Sequence, residues 1–444
     1  MRTSADRRMA DRGMGIGLRL LNRLAGSDLL DRIRLRKQVE QLVFRSAKNG
    51  FRTATIAGRS FKAAQRLGTP ARQAKSRSKG LFDLTPDDEQ QMLQEAVRAF
   101  AGEKVRPAAP GADSACATPD ELLTQAAELG IEMLGVPQEL GGVMHEQAAV
   151  SGVLIGEALA HGDMGIAYAA LAPGAVATAI GQWGTAEQEA TYLPPFTGED
   201  VPASALALLE PRPLFDPLKL ETKARRQGGE WVLDGAKSLL ARAKECELFL
   251  IAAEAEGLGP ALFLIESGTR GLAVQAEPAM GLRAAATGRL QLDEVRLPSG
   301  ALLGEGRRED YVECVMRARV AWCALAVGAA QAVLDYVIPY VNERTAFGEP
   351  ISNRQAVAFG VSDIGIETDG MRLATYRAAA RADQGEDFAR EAAIARRLCA
   401  AKGMRIGSEG VQLLGGHGFV KEHPVERWYR DLRGAGVMEG ALLV

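Results

Sequence analysis

No two of the five cysteines, Cys116, Cys246, Cys314, Cys323 and Cys399, stand at a C-x-x-C spacing. That absence excludes a sequence-readable disulfide framework or zinc knuckle and fits a reducing, cytoplasmic compartment. The four histidines, His145, His161, His417 and His423, are as scattered, beside Gly pairs or at expected element ends, so no metal site is expected. No apolar run reaches the length of a membrane span. Aromatic residues make up only 5% of the chain, and no aromatic-interleaved or zinc-bearing nucleic-acid motif is present, so nucleic acid is not an expected partner. What remains is a 47% apolar, 444-residue sequence of ordinary globular composition, long enough for two or three domains.

Charge is unevenly placed. Residues 1–80 hold 20 Lys+Arg and 5 Asp+Glu, net +15, and the rest of the chain is net −18. Within this arm Gly15 to Leu24 and Leu29 to Lys37 set apolar residues near helical spacing with arginines between them. Such a basic amphipathic segment suits an anionic membrane surface, which would make the protein peripheral on it, or an acidic partner, or packing on its own body. Thr69 to Gly80 reads as a linker.

The body then divides into three. Over 81–200 a helical domain is expected, opened by Thr85 as N-cap with Pro86 at the first position, and continued by segments such as Pro119 to Leu129 and Ala148 to Ala160. Over 201–305 the period shortens: Leu218 to Ala224 and Arg289 to Leu297 alternate, while Glu245 to Ile251 and Ala261 to Ile265 are short apolar runs. This predicts a small antiparallel β-barrel domain. Over 306–444 the helical period returns in Ala318 to Asn342, Ser352 to Gln384 and Phe388 to Gln412, which predicts a helical bundle.

One carboxylate stands out. Glu439 lies among apolar neighbours in Val437-Met438-Glu439-Gly440-Ala441, after a charged helix and a Gly-rich turn, as suits a general base that removes a weakly acidic carbon-bound proton. Upstream stand Arg344-Thr345-Ala346-Phe347-Gly348-Glu349-Pro350-Ile351 with Gln355, then Val411-Gln412-Leu413-Leu414-Gly415-Gly416-His417-Gly418-Phe419, then Pro424-Val425-Glu426-Arg427-Trp428-Tyr429-Arg430-Asp431. Arg344 offers a fork of donors suited to a pyrophosphate. The Gly415-Gly416 pair lets backbone N–H groups approach phosphate oxygens closely. Taken singly, each could be a surface ion pair, a helix end or a solvated amide.

Together these segments resemble the acyl-CoA dehydrogenase family, from about Leu84 to the last residue. They look like its R-x-x-F-G-x-P-I-x-x-x-Q, V-Q-x-x-G-G-x-G-Y/F, P-V-E-R-x-x-R-D and E-G segments, and the 95 residues between Arg344 and Glu439 are the family's usual register. The resemblance implies a mostly α fold with a central β domain: a helical domain, a small β-barrel and a C-terminal four-helix bundle. It implies FAD as cofactor, clasped by Arg344, Phe347, Gln355, Gln412, Gly415 and Gly416 of a neighbouring subunit in a homodimer or homotetramer. An acyl-CoA substrate would lose its α-proton to Glu439 and its β-hydride to the flavin, with thioester hydrogen bonds from the Glu439 backbone N–H beside Gly440. An electron-transfer flavoprotein would be the acceptor. Some members carry the base one residue before the arginine matching Arg319; here that residue is Ala318, and Arg319 is expected at the substrate mouth. Glu128 to Gly142 and Gly184 to Pro194 match fold-shaping segments of the first domain.

The β domain departs from the pattern. Leu209-Glu210-Pro211-Arg212-Pro213-Leu214-Phe215-Asp216 stands where the family has T-E-P-x-A-G-S-D, Leu239-Leu240-Ala241 where it has W-I-T, and Ala441 and Leu443 follow Glu439-Gly440 in place of Thr and Gln. Losing three to five side-chain hydrogen bonds at about 0.5–1.5 kcal/mol each would weaken FAD binding about ten- to many thousand-fold, unless backbone contacts carry it. A non-catalytic acyl-CoA-binding scaffold that pairs with an active paralogue is therefore the alternative expectation. The family normally continues beyond this point into a closing helix, so the chain reads as truncated or divergent.

Overall fold

The computed structural model describes residue 86 and residues 88–142, 148–198 and 201–444. The basic arm of residues 1–80, with its membrane and acidic-partner readings, the Thr85 cap and His145 lie outside the described residues.

The first region is helical. Helix α1 (Asp88–Phe100) passes through one π turn into α2 (Arg106–Ala115), and α3 (Asp120–Glu128), α4 (Ala148–Gly162), α5 (Met164–Trp183) and α6 (Ala186–Tyr192) follow. Asp163 caps α5 by accepting from the Gly165 and Ile166 N–H groups at 3.0 Å. Helix α6 starts in a reciprocal capping box between Thr185 and Gln188. The Gln188 amide goes further, donating to the Gly300 and Leu302 carbonyls and accepting from Gly304 N–H, so it ties this domain to the end of the next.

The second region is a curled seven-stranded sheet of β1 (Ser204–Ala207), β2 (Lys223–Gln227), β3 (Glu230–Leu240), β4 (Leu248–Ala255), β5 (Gly259–Glu266), β6 (Leu272–Ala276) and β7 (Gly288–Leu297). The order is β1-β4-β2-β3-β7-β6, with β5 beside β4. Most pairs are antiparallel as expected, but β4 runs parallel to both β1 and β2, so the sheet is mixed. The strand expected from Leu218 begins only at Lys223. A buried carboxylate is the reason: Glu210 accepts the Glu221 and Thr222 N–H groups at 2.8 Å, so those donors are not free for a ladder.

The third region holds three long helices, α7 (Arg308–Glu343), α8 (Gln355–Asp383) and α9 (Ala389–Leu414), joined by the small β8–β9 hairpin (Thr345–Ala346, Glu349–Pro350) and a tight turn. Helix α4 of the first region packs along α7 as a fourth member. Two short helices, α10 (Val425–Leu432) and α11 (Gly434–Val437), carry the chain back to the domain junction. Contrary to the expectation from sequence, α5 and α7 are long and apolar enough to cross a bilayer; most of the apolar window of each is instead buried in the protein core.

The P-V-E-R-x-x-R-D segment acts as a bracket. Arg427 pairs with the buried Asp163 at 2.9 Å, Asp431 accepts the Leu282 N–H at 2.6 Å, and Arg430 pairs bidentately with Asp113. Burial beside Asp163 pushes the Asp431 carboxyl up to about 8. These bonds join α10 to the first helical region and to the loop before β7, and they set where the residues after α11 emerge.

Candidate active site

Glu439 emerges where α11 ends. Met438 is extended, Gly440 has φ +71°, and Ala441 pairs with Leu206 of β1 in an isolated bridge. Gly440 is needed twice over, for its left-handed backbone and because a Cβ there would lie 2.6 Å from the Leu208 Cβ. The Glu439 carboxylate is 8% exposed, so it is buried as expected, but its setting is not apolar. Arg319 of α7 grips it with a two-nitrogen fork, Nε to Oε2 and Nη2 to Oε1, both at 2.9 Å. Arg396 of α9 adds a third contact at 3.4 Å while also donating to the Met438 carbonyl at 2.6 Å and to the Ala435 carbonyl. Burial lowers the Arg396 pKa, against the pull of Glu439. Arg319 is thus in direct contact with the Glu439 carboxylate. Ala318 beside it is fully buried.

On the same face of α7, Trp322 is fully buried. Its indole N–H donates to the Gly440 carbonyl at 2.7 Å, and its ring meets Tyr168 of α5 edge-on, centroids 5.0 Å apart.

The six clasp residues form a second, separate group, all of them exposed. Arg344 caps α7, and its carbonyl accepts the Ile351 N–H across the β8–β9 hairpin. Phe347 at the hairpin tip has φ +56° and is 96% exposed, with Arg354 over its ring. Gln355 opens α8. Gln412 lies in the last turn of α9, and Gly415 with φ +57° ends that helix; Gly415 and Gly416 both face open space where a Cβ would stand. The two halves are tied together by Tyr340, four residues before Arg344, whose hydroxyl reaches the Leu414 carbonyl and His417 Nδ1. Arg344 has no ion-pair partner among the described residues.

Three family models match in order: acyl-CoA dehydrogenase N-terminal domain over residues 87–200, middle domain over 205–295 and C-terminal domain over 309–442. The mitochondrial short-chain specific acyl-CoA dehydrogenase of Bos taurus is 32% identical over 364 residues, covering 79% of this chain and 86% of that one. The chain belongs to the acyl-CoA dehydrogenase family. The acryloyl-CoA reductase (NADH) of Anaerotignum propionicum is likewise 32% identical, covering 81% of this chain and 93% of its own. Among solved structures, butyryl-CoA dehydrogenase from Megasphaera elsdenii superposes with a TM-score of 0.74 at 28% identity, covering 81% and 96% of the two chains. A structure titled for the electron transferring flavoprotein of Acidaminococcus fermentans matches with TM-score 0.74 at 27% identity, covering 81% of this chain and 96% of that one. Membership of this family makes the chain an acyl-CoA dehydrogenase-type oxidoreductase with FAD as its cofactor.

The residues present fit FAD at its phosphate end. Open glycine backbone and an unpaired Arg344 are what a pyrophosphate needs. The Leu209 to Asp216 and Leu239 to Ala241 segments carry side chains unlike the family pattern. Leu214 takes φ +52° where the family has glycine, and Leu239 takes φ +56°. The Leu239 carbonyl and the Ala241 N–H, in place of the W-I-T group, are both bonded by the Tyr168 hydroxyl at 2.8 and 3.0 Å, and Leu239 N–H and Ser238 Oγ donate to Glu277. Tyr168 thus supplies polar partners to this backbone from within.

Sequence reasoning missed Arg396, Trp322 and Tyr168, none of which stands in the quoted motifs. It also missed Glu132, buried against α5, whose Oε2 has no partner among the described residues. Burial pushes this carboxyl up to about 7. With its pKa raised from 4.5, the folded state binds more protons than the unfolded state between pH 4.5 and 7, so its contribution is fully present below 4.5 and lost by 7. Glu132→Gln should erase that slope and raise stability at pH 8 by up to about 3 kcal/mol. Urea midpoints of the two proteins at pH 5 and pH 8 check it, and equal pH slopes would contradict it.

Proposed function

We propose that this protein dehydrogenates the α,β bond of an acyl-CoA thioester, with Glu439 taking the α-proton. The observation that carries the reading is the position of Glu439: an enclosed carboxylate at the junction of all three described regions, held by backbone that only Gly440 allows. FAD, when bound, supplies the two-electron acceptor for the β-hydrogen. Arg344, Gly415 and Gly416, with Phe347, Gln355 and Gln412, would hold its ADP portion from a neighbouring subunit. A homodimer or larger oligomer is supported by the heptad-spaced apolar residues Phe359, Ile366 and Leu373, all exposed on α8. An electron-transferring flavoprotein is the proposed acceptor, in a reducing cytoplasmic setting.

Two guanidinium groups contact the Glu439 carboxylate that would accept the proton. Arg319 is the more exposed of the two, while Arg396 also holds the Met438 carbonyl and the turn. The Glu439 N–H and the Gly440 backbone then face the thioester carbonyl and stabilise the charge that develops on it.

The non-catalytic alternative draws on a specific contact, the Tyr168 hydroxyl between Leu239 and Ala241, which occupies ring-side backbone groups. One preparation decides between them. The purified oligomer should be yellow, or turn yellow with added FAD, and should bleach anaerobically with an acyl-CoA. A colourless monomer that takes up no FAD, or a flavin that no thioester reduces, would leave the scaffold reading.

A further inference from the structure

Away from the Glu439 cluster and the clasp, residues of α1, α4, α7 and α8 enclose a polar cleft of about 550 Å³. None of its lining residues belongs to either group, and nothing in it depends on Glu439 being the base. Its α4–α7 side is tightly packed, since a Cβ on Gly328 would lie 2.1 Å from the Glu157 carbonyl oxygen. The cleft is therefore preformed, as small-molecule sites usually are.

Most of its polar groups saturate one another. Glu157 of α4 is 5% exposed, and its two oxygens accept the Arg372 Nε–H at 2.9 Å and the Tyr376 hydroxyl at 2.8 Å. The other two Arg372 nitrogens donate to Asp369 and to Gln331 Oε1, both at 2.8 Å. Asp335 of α7 accepts from Gln331 at 2.8 Å and meets His161 Nε2 at 2.9 Å. Burial lowers the His161 pKa and Arg106 donates to its Nδ1, so the ring is neutral and Nε2 carries the proton given to Asp335. Each carboxylate oxygen in the cleft already holds a donor.

The α1 wall is different. Gln94 and Arg98 stand one helical turn apart on its cleft side. Gln94 is 7% exposed, yet its amide makes no hydrogen bond among the described residues, where a buried amide ordinarily finds a partner. Arg98 likewise has neither ion pair nor hydrogen bond among them. Just beyond it the helix widens into the π turn Ala101–Val105, whose Gly102 lines the same cleft, and π turns are frequent at functional sites. The unspent capacity is thus a cationic fork and an amide, donors for the most part.

We propose that this cleft binds a small organic monocarboxylate, its carboxylate on Arg98 and the Gln94 amide and its apolar body on Leu154 and Ala158. The volume is more than an inorganic anion fills and lies in the range of small-molecule sites. A second negative charge on the ligand would face Glu157 and Asp335. A cationic ligand would meet the unpaired Arg98 and carboxylates already engaged.

The test titrates benzoate and 3-phenylpropionate into the full-length protein with FAD present, read by calorimetry, with benzamide and inorganic phosphate as controls. At least one of the two carboxylates should bind with a Kd of about 1 mM or tighter, and both controls at least about ten-fold more weakly. Arg98→Ala and Gln94→Leu should each weaken carboxylate binding at least about ten-fold, while Glu439→Gln leaves it unchanged. Arg98 is exposed and the Gln94 amide makes no bond within the described fold, so both variants should melt close to the wild type. Should Gln94→Leu fail to fold, Arg98→Ala decides alone. No carboxylate binding, binding that the folded variants retain in full, or binding lost in Glu439→Gln would overturn the proposal. Flavin bleaching plays no part in this readout, so a failure of Glu439 as the base would leave the result standing.

Discussion

Glu439→Gln holoenzyme stays yellow and fails to bleach with acyl-CoA, the rate of flavin reduction falling on the order of 10²–10⁴-fold as expected for loss of a general base. FAD affinity holds, because the Arg344 and Gly415-Gly416 clasp shares no hydrogen bond with the Glu439 cluster. The substitution also removes the one carboxylate that Arg319 and Arg396 share. A carboxamide can still accept a hydrogen bond from either guanidinium, yet it leaves two like charges facing each other, so the thermal midpoint drops as well. Both signatures belong together. A variant that bleaches at the wild-type rate would move the base elsewhere; one that loses FAD would show that the ion cluster shapes the flavin site.

Glu210→Ala is the second large effect, and it acts on stability. Lys237 is fully buried, and among the described residues its ammonium reaches only Glu210 at 3.0 Å and the Leu208 carbonyl. Burial pushes the ammonium down to about 8 in spite of that partner. Burial acts on Glu210 in the opposite sense, but the charge of Lys237 and the N–H groups of Glu221 and Thr222 outweigh it and hold the carboxylate below its usual range. Taking the carboxylate away strands a buried cation and two backbone donors, a loss of about 3–5 kcal/mol. Lys237→Met should cost less, since Glu210 retains its backbone donors, and the double variant Glu210→Met/Lys237→Met should recover part of the deficit. Urea midpoints for the three proteins give the order. Because Glu210 anchors the Leu209 to Asp216 loop, FAD affinity should fall in parallel in Glu210→Ala; an unshifted midpoint would mean the pair is dispensable.

The sequence exposed what is local. Arg344 and Gly415-Gly416 stand out through the family resemblance, each alone reading equally as a surface ion pair or a helix end, and the structure presents them open to solvent. Glu439 is legible through its glycine, whose left-handed backbone and closeness to Leu208 leave no room for another residue. The long helices follow from period alone. What escaped is convergence over long separations: Arg396 reaches Glu439 across 43 residues and Tyr168 reaches Ala241 across 73, and neither leaves a pattern in its own neighbourhood. The false start of β2 at Leu218 has the same origin, since alternation at residues 218–222 meets a carboxylate, Glu210, that takes the N–H groups a ladder would have used. Where the T-E-P-x-A-G-S-D and W-I-T patterns are eroded, Leu214 and Leu239 take left-handed backbone that their own side chains do not announce.

The bracket formed by α10 has a consequence for when the protein becomes competent. Arg427 meets Asp163 across 264 residues and Asp431 meets Leu282 across 149, and both bonds set the exit of the segment that carries Glu439. Loops of that size close late, after local helices and hairpins have formed. A chain still being assembled can therefore display helices, sheet and clasp without presenting an aligned base. Activity through the proposed base should therefore appear only once this long-range bracket has closed.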